Sequence, residues 1–214
     1  MKKTVIIDYE SGNLFSVFHV CKMLGLDPLI SSDAGDLRQA AGVILPGVGA
    51  FGDAMQNLRN TGKAEAISEY IYEDKPFLGI CLGMQLLFEY SEEFGENEGL
   101  GLVKGHVKRF NFDDDRIKVP HVGWNRISKP EEKNWKDSLF KNVHDGDYMY
   151  FVHSYYAEAT DEKDIMAFTD YEGKKFCSAI MKNNIFATQF HPEKSGISGL
   201  SVVKEFAALL KGIK

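Results

Sequence analysis

Cys81 stands between two glycines in Gly79-Ile80-Cys81-Leu82-Gly83, where the apolar run from Phe77 gives way to Met84-Gln85-Leu86-Leu87. A tight strand-to-helix turn leaves no room for Cβ atoms two residues either side of its apex, so this spacing predicts a nucleophile elbow. The thiol would be lifted over a sheet edge at the start of a helix near Leu82, where backbone N–H groups and the helix dipole favour a thiolate. A free cysteine is otherwise most often a buried core residue, so the rest of the chain decides. Downstream, at 191, comes His191-Pro192-Glu193. In an extended segment residues i and i+2 leave on the same side, with Pro192 holding the bend. A cysteine nucleophile needs an imidazole to take and return its proton, and the imidazole needs a carboxylate to fix its tautomer. Cys81, His191 and Glu193 are therefore the candidate catalytic residues.

A third element is Leu45-Pro46-Gly47-Val48-Gly49-Ala50-Phe51-Gly52, after the apolar run Gly42 to Leu45. Glycines following a strand can turn backbone N–H groups inward as a nest for negative charge. Acyl transfer at a cysteine needs such donors, here Gly47 and Val48 together with the N–H of Leu82. A phosphate cradle would use the same geometry, but neither a Walker Lys-Ser/Thr nor a Gly-x-Gly-x-x-Gly pattern follows.

Composition bounds the rest. At 214 residues and 44% hydrophobic content, the chain can bury one α/β core, and residues 1–214 are expected to form one domain. A net charge of −6 disfavours a nucleic-acid surface, and no apolar stretch approaches a membrane span. Met1-Lys2-Lys3-Thr4 leads into an apolar segment too short for a signal peptide. Cys21, Cys81 and Cys177 are odd in number and scattered, which fits a reducing, cytoplasmic compartment. No zinc-ligand spacing occurs, so no metal site is expected. Asp113-Asp114-Asp115 has the composition of a charged turn.

The elements that must position these groups alternate. Val5 to Asp8 is a buried strand, followed by a helix carrying Leu14, Val17, Phe18, Cys21 and Leu24, which makes Cys21 a core residue. Strands are expected at 28–30, 43–45 and 77–80, and a helix at 64–72. Beyond Glu92 shorter strands are expected at 103–110, 124–127, 148–152, 165–169, 176–181 and 185–189, before a closing helix with Leu200, Val203, Phe206, Ala207 and Leu210. The fold class is α/β, a doubly wound, mostly parallel sheet with an antiparallel extension.

Gly79 to Gln85 with His191-Pro192-Glu193 resembles the class I (triad) glutamine amidotransferase family, of flavodoxin-like fold, which hydrolyses glutamine and delivers ammonia to a synthase. Ile7-Asp8-Tyr9 with Gly12-Asn13-Leu14, Pro46 to Phe51, Pro120-His121-Val122-Gly123-Trp124-Asn125, Tyr150 to Tyr156 and Gln189 to Gly196 are similar to its imidazole glycerol phosphate synthase branch, in histidine biosynthesis. The family usually has glycine where this chain has Glu10. The resemblance implies a thioester on Cys81, substrate contacts from Gly49, Gln85, Ser154 and Tyr155, and no cofactor. His153 is expected to pack or hydrogen-bond rather than act as a second base. The implied partner is a (β/α)₈-barrel cyclase subunit forming a heterodimer, with Trp124, Asn125, Tyr148 and Lys182 at the interface. Alternatives are a paralogue feeding ammonia to a sugar amidotransferase, and a non-amidotransferase cysteine hydrolase with the same elbow. The glutaminase of pyridoxal phosphate synthase lacks the Pro-His-Val-Gly-Trp-Asn and Phe-Val-His-Ser-Tyr segments.

Overall fold

The computed structural model describes residues 3–10 and 12–212. The first half alternates strand and helix: β1 (Thr4–Ile7), α1 (Leu14–Met23), β2 (Pro28–Ser31), α2 (Ala34–Gln39), β3 (Gly42–Gly47), α3 (Phe51–Asn60), α4 (Lys63–Tyr72), β4 (Phe77–Cys81) and α5 (Leu82–Gln85). The second half is richer in strands: β5 (Tyr90–Ser91), β6 (Asn97–Glu98), β7 (Gly105–Arg109), β8 (His121–Arg126), β9 (Tyr148–His153), β10 (Tyr155–Ala159), β11 (Ile165–Tyr171), β12 (Lys174–Lys182) and β13 (Ile185–Thr188), closed by α6 (Gly196–Leu210).

Seven strands form the central sheet in the order β11-β12-β13-β4-β3-β1-β2. Its β13-β4-β3-β1-β2 part is parallel, and β11 and β12 extend it antiparallel. Such strands are covered on both faces, so they read as continuous apolar runs rather than alternating ones. Val5, Ile7, Val43 and Leu45 pack beneath α2, α3 and α4, whereas Ile6, Ile44, Leu78 and Ile80 pack beneath α1 and α6. That is the doubly wound arrangement expected, and it makes Cys21 a core residue, as its helical spacing implied.

Two smaller sheets were not foreseen as separate bodies. One has the order β10-β7-β5-β6, and the other is the antiparallel pair β8-β9. Helices α2 and α3 and strand β10 were also missed. Helix α3 buries Phe51, Ala54, Met55 and Leu58 at proper helical spacing, but it opens inside a glycine-rich stretch that reads as loop. Asp113 to Asp115 lie in a turn, where Asp114 pairs with Arg116. Among the described residues no helix is long and apolar enough to cross a membrane.

Candidate active site

Strand β4 ends on Cys81, whose backbone sits at φ 56° and ψ −110°. A non-glycine residue held at positive φ costs of order 1–3 kcal/mol, and such strain persists only where the surroundings impose it. Here they do. A side chain on Gly83 would run into the Leu45 carbonyl oxygen, and one on Gly79 would stand 2.8 Å from the Gly83 oxygen. The elbow therefore forms as the glycine spacing requires. The helix behind it is only the four residues of α5, so little macrodipole acts on the sulfur. What remains is the N–H of Leu82, which as the first helical residue has no carbonyl within its helix to bond.

His191 and Glu193 meet Cys81 because β13 lies parallel beside β4, with Thr188 opposite Ile80. His191 ends an extended stretch, and Pro192 starts a 3-10 turn over Pro192–Lys194 that swings Glu193 back under the ring. The approach thus comes from a turn rather than from strand alternation. His191 Nδ1 lies 2.9 Å from Glu193 Oε1, with both side chains almost fully buried. A carboxylate there makes Nδ1 the protonated nitrogen and leaves Nε2 for proton transfer. Nε2 is itself buried, makes no hydrogen bond of ordinary geometry among the described residues, and is left with Cys81 as the group it interacts with. Burial works against the imidazolium, but the interactions of Cys81 and Glu193 outweigh it and hold the His191 pKa up at about 10. The loop is pinned from outside: His191 N donates to Tyr150 O at 3.0 Å, and Ser195 Oγ accepts from Tyr150 N and donates to His191 O.

A cavity of about 290 Å³ opens beside the thiol, lined by Gly49, Cys81, Leu82, Gln85, Ser154 and Tyr155 among others. The proposed oxyanion loop adjoins it, with Gly47 paired to Cys81 across β3 and β4, and Val48 half exposed at the rim. Gln85 Nε2 donates to Tyr155 O at 2.8 Å and to Gln189 Oε1 at 2.9 Å, leaving its own Oε1 as the polar atom not used by those bonds. Glu93 also lines the cavity, and sequence reasoning missed it. Desolvation raises its pKa, and one oxygen accepts the Phe51 N–H at 2.6 Å. The only sequence signal was an acidic residue among several in Glu92 to Glu98.

Trp124 and Tyr148 stand about half exposed on the outer face of the β8-β9 pair, with Val122 and Val152. Asn125 belongs to that pair but uses its amide internally, donating to Asp170 O and accepting from Arg126 N. Lys182 is not brought to this face. It pairs with Ile185, which pairs with Phe77 at the start of β4, and its ammonium donates to Leu102 O. At the usual strand rise this lies about 13 Å along the sheet from the nucleophile end. His153 is buried and bonds Tyr155 O through Nδ1, a hydrogen-bonding role as expected.

The model of the family described as Glutamine amidotransferase class-I matches residues 5–208. The imidazole glycerol phosphate synthase subunit HisH of Sulfurimonas denitrificans is 49% identical over 94% of this chain and 95% of its own length. That of Chlorobaculum tepidum is 49% identical over 94% and 98%. Among solved structures, that of PurLQS from Thermotoga maritima superposes with a TM-score of 0.74 at 20% identity, over 98% of this chain and 100% of that one. A structure described as a glutamine amidotransferase gives 0.71 at 16% identity, over 97% and 98%.

Proposed function

The chain belongs to the class I glutamine amidotransferases, and we propose that Cys81, His191 and Glu193 make it the glutaminase subunit of an imidazole glycerol phosphate synthase. The observation that carries this reading is the meeting of a strained, pocket-facing Cys81 with a buried His191–Glu193 pair in the turn that follows the adjacent strand.

The Cys81 thiolate attacks the side-chain carboxamide carbon of glutamine and forms a C–S bond. The N–H of Leu82 and a donor from Gly47 to Gly49 hold the oxyanion, each such donor being worth about 10²–10³ in rate. As the C–N bond breaks, His191 Nε2 passes its proton to the departing ammonia, leaving a glutamyl thioester. His191 then takes a proton from water, whose oxygen bonds the thioester carbon as the C–S bond breaks. Glutamate leaves and the Cys81 thiolate is restored beside the protonated His191, while Glu193 keeps the ring oriented. Gln85 Oε1 and the Glu93 carboxylate are suited to the substrate ammonium, with Ser154 and Tyr155 along its amino-acid end.

The released ammonia needs a receiver. The face bearing Val122, Trp124, Tyr148 and Val152 joins the cavity mouth through Val152. An exposed apolar patch of this kind suits a docked partner, here the barrel-shaped cyclase subunit that would take ammonia through its interior. Unpaired thiols at Cys21, Cys81 and Cys177 suit a cytoplasmic location, and the two cores shared across one sheet support a single domain.

In the reconstituted two-subunit enzyme, Cys81→Ala should abolish glutamine-driven synthesis and leave ammonia-driven synthesis intact. Loss of both would overturn the division of labour.

A further inference from the structure

We propose that Gln189 is a further member of the catalytic constellation: its side-chain amide donates an N–H to the Cys81 sulfur and favours the thiolate. Gln189 is fully buried, with its amide nitrogen 3.6 Å from Sγ. Which end of the amide faces the sulfur follows from its neighbours. The Tyr155 carbonyl can only accept, so the Gln85 atom 2.8 Å away is its NH₂. The second hydrogen of that NH₂ points to Gln189 at 2.9 Å, so the Gln189 atom there must be the oxygen. The opposite end, toward Cys81, is therefore the donor.

The anchor of this chain is held from its other side as well. His153 Nδ1 lies 2.9 Å from the same Tyr155 oxygen and must donate to it. His153 Nε2 is then an acceptor, so His121 Nδ1, at 3.2 Å, donates to it, and His121 Nε2 accepts from Asn125 at 3.3 Å. Two runs of donors thus converge on one carbonyl. The placement also has a chemical point. His191 surrenders its proton during turnover, whereas an amide N–H does not titrate and faces the sulfur at every stage. A hydrogen bond to a charged acceptor is among the strong ones, so losing it should disfavour the thiolate relative to the thiol. Gln85 acts through Gln189 and is a positioning residue.

The proposal rests on Cys81 being the nucleophile. Alkylation by iodoacetamide reads the ionisation of that thiol whether or not glutamine is the substrate, so failure of the glutaminase reading would show separately. The full chain is alkylated from pH 5 to 9 and the Cys81 peptide quantified by mass; Cys21 and Cys177 are buried and pushed up to about 12, which keeps them unreactive there. In Gln189→Met, which keeps the length but has no N–H, the alkylation midpoint should move up by about one unit. Gln85→Met should move it the same way by less. An unchanged midpoint overturns the proposal, and a midpoint moved down would mean that the carbonyl end faces the sulfur. Should the variants not fold, the unmodified chain decides: the Gln189 side-chain amide resonances should shift with the Cys81 midpoint, and a flat response is fatal to the idea.

Discussion

Glu10 shows how one residue can carry a conformation made for another. It lies at φ 66°, in the left-handed region, and its N–H is held by Asp8 Oδ1 at 2.9 Å. That conformation costs a residue with a Cβ about 1–2 kcal/mol, against about 0.5–1 kcal/mol of extra chain entropy lost by glycine. Glu10→Gly should therefore stabilise the chain by up to about 1 kcal/mol, seen as a higher urea midpoint at unchanged slope. The departure from the family pattern at this position has left the loop in the glycine-like conformation. Cys81, His191 and Glu193 could be found in the sequence because each demand there is local: a glycine either side of a strained apex, a carboxylate two residues from an imidazole. Gln189 and Glu93 could not. Their roles depend on which strands lie side by side, and a buried glutamine two residues before His191 differs in no local way from an ordinary core amide.

At the scale of the element, β9 does several tasks with one backbone. Its outer side chains Tyr148 and Val152 belong to the exposed face, its inner ones Met149 and Phe151 are fully buried, and its Tyr150 peptide groups hold the His191 loop from both sides. A partner docked on this face, as proposed, would bear on the His191 loop through Tyr150, whose carbonyl holds His191 N and whose N–H holds Ser195 Oγ. Trp124→Ala should weaken cyclase binding more than about tenfold, since buried aromatic anchors dominate interfaces, with little change in the stability of the free chain. Lys182→Ala should leave affinity unchanged in the same titration calorimetry. Equal losses would place the docking surface elsewhere. Alternation of strand and helix was legible where apolar runs were continuous, as in β3 and β4. It failed for α3, whose Gly52 disguises the start, and for β10, which turns back directly after β9 and has only Ser154 between.

For the whole molecule, three buried imidazoles set opposite slopes on stability against pH. Burial lowers His121 to about 4, and His153 to about 3 with the nearby His121 and His191 adding to it. Below pH 6.5 the unfolded chain protonates both while the folded chain does not, so stability falls as acid is added. His191 has the other sign. Its raised value means that the folded chain holds a proton the unfolded chain has lost, a contribution present in full below pH 6.5 and lost as the pH rises toward about 10. Stability should therefore peak near pH 6.5, with the acid limb approaching two protons per molecule. Denaturant midpoints from pH 4 to 9 test this, and a curve rising steadily to pH 9 would contradict it.

Strand β13 is the last strand in the chain, yet it lies inside the sheet, between β12 and β4. While a ribosome is still making residues 185–193, the elbow strand β4 has one open edge and the thiol has no base. Order of synthesis thus acts as a safety interlock: every other strand of the sheet can be out and paired before the chain can touch glutamine. It also sets a hazard, because an open, apolar, parallel edge waits longest in this protein for its partner, and such pairings over long sequence separation are slow. A nascent chain stalled before Ile185 would be chemically inert and prone to aggregate, so a premature stop between β4 and His191 wastes the chain without releasing an ungoverned glutaminase.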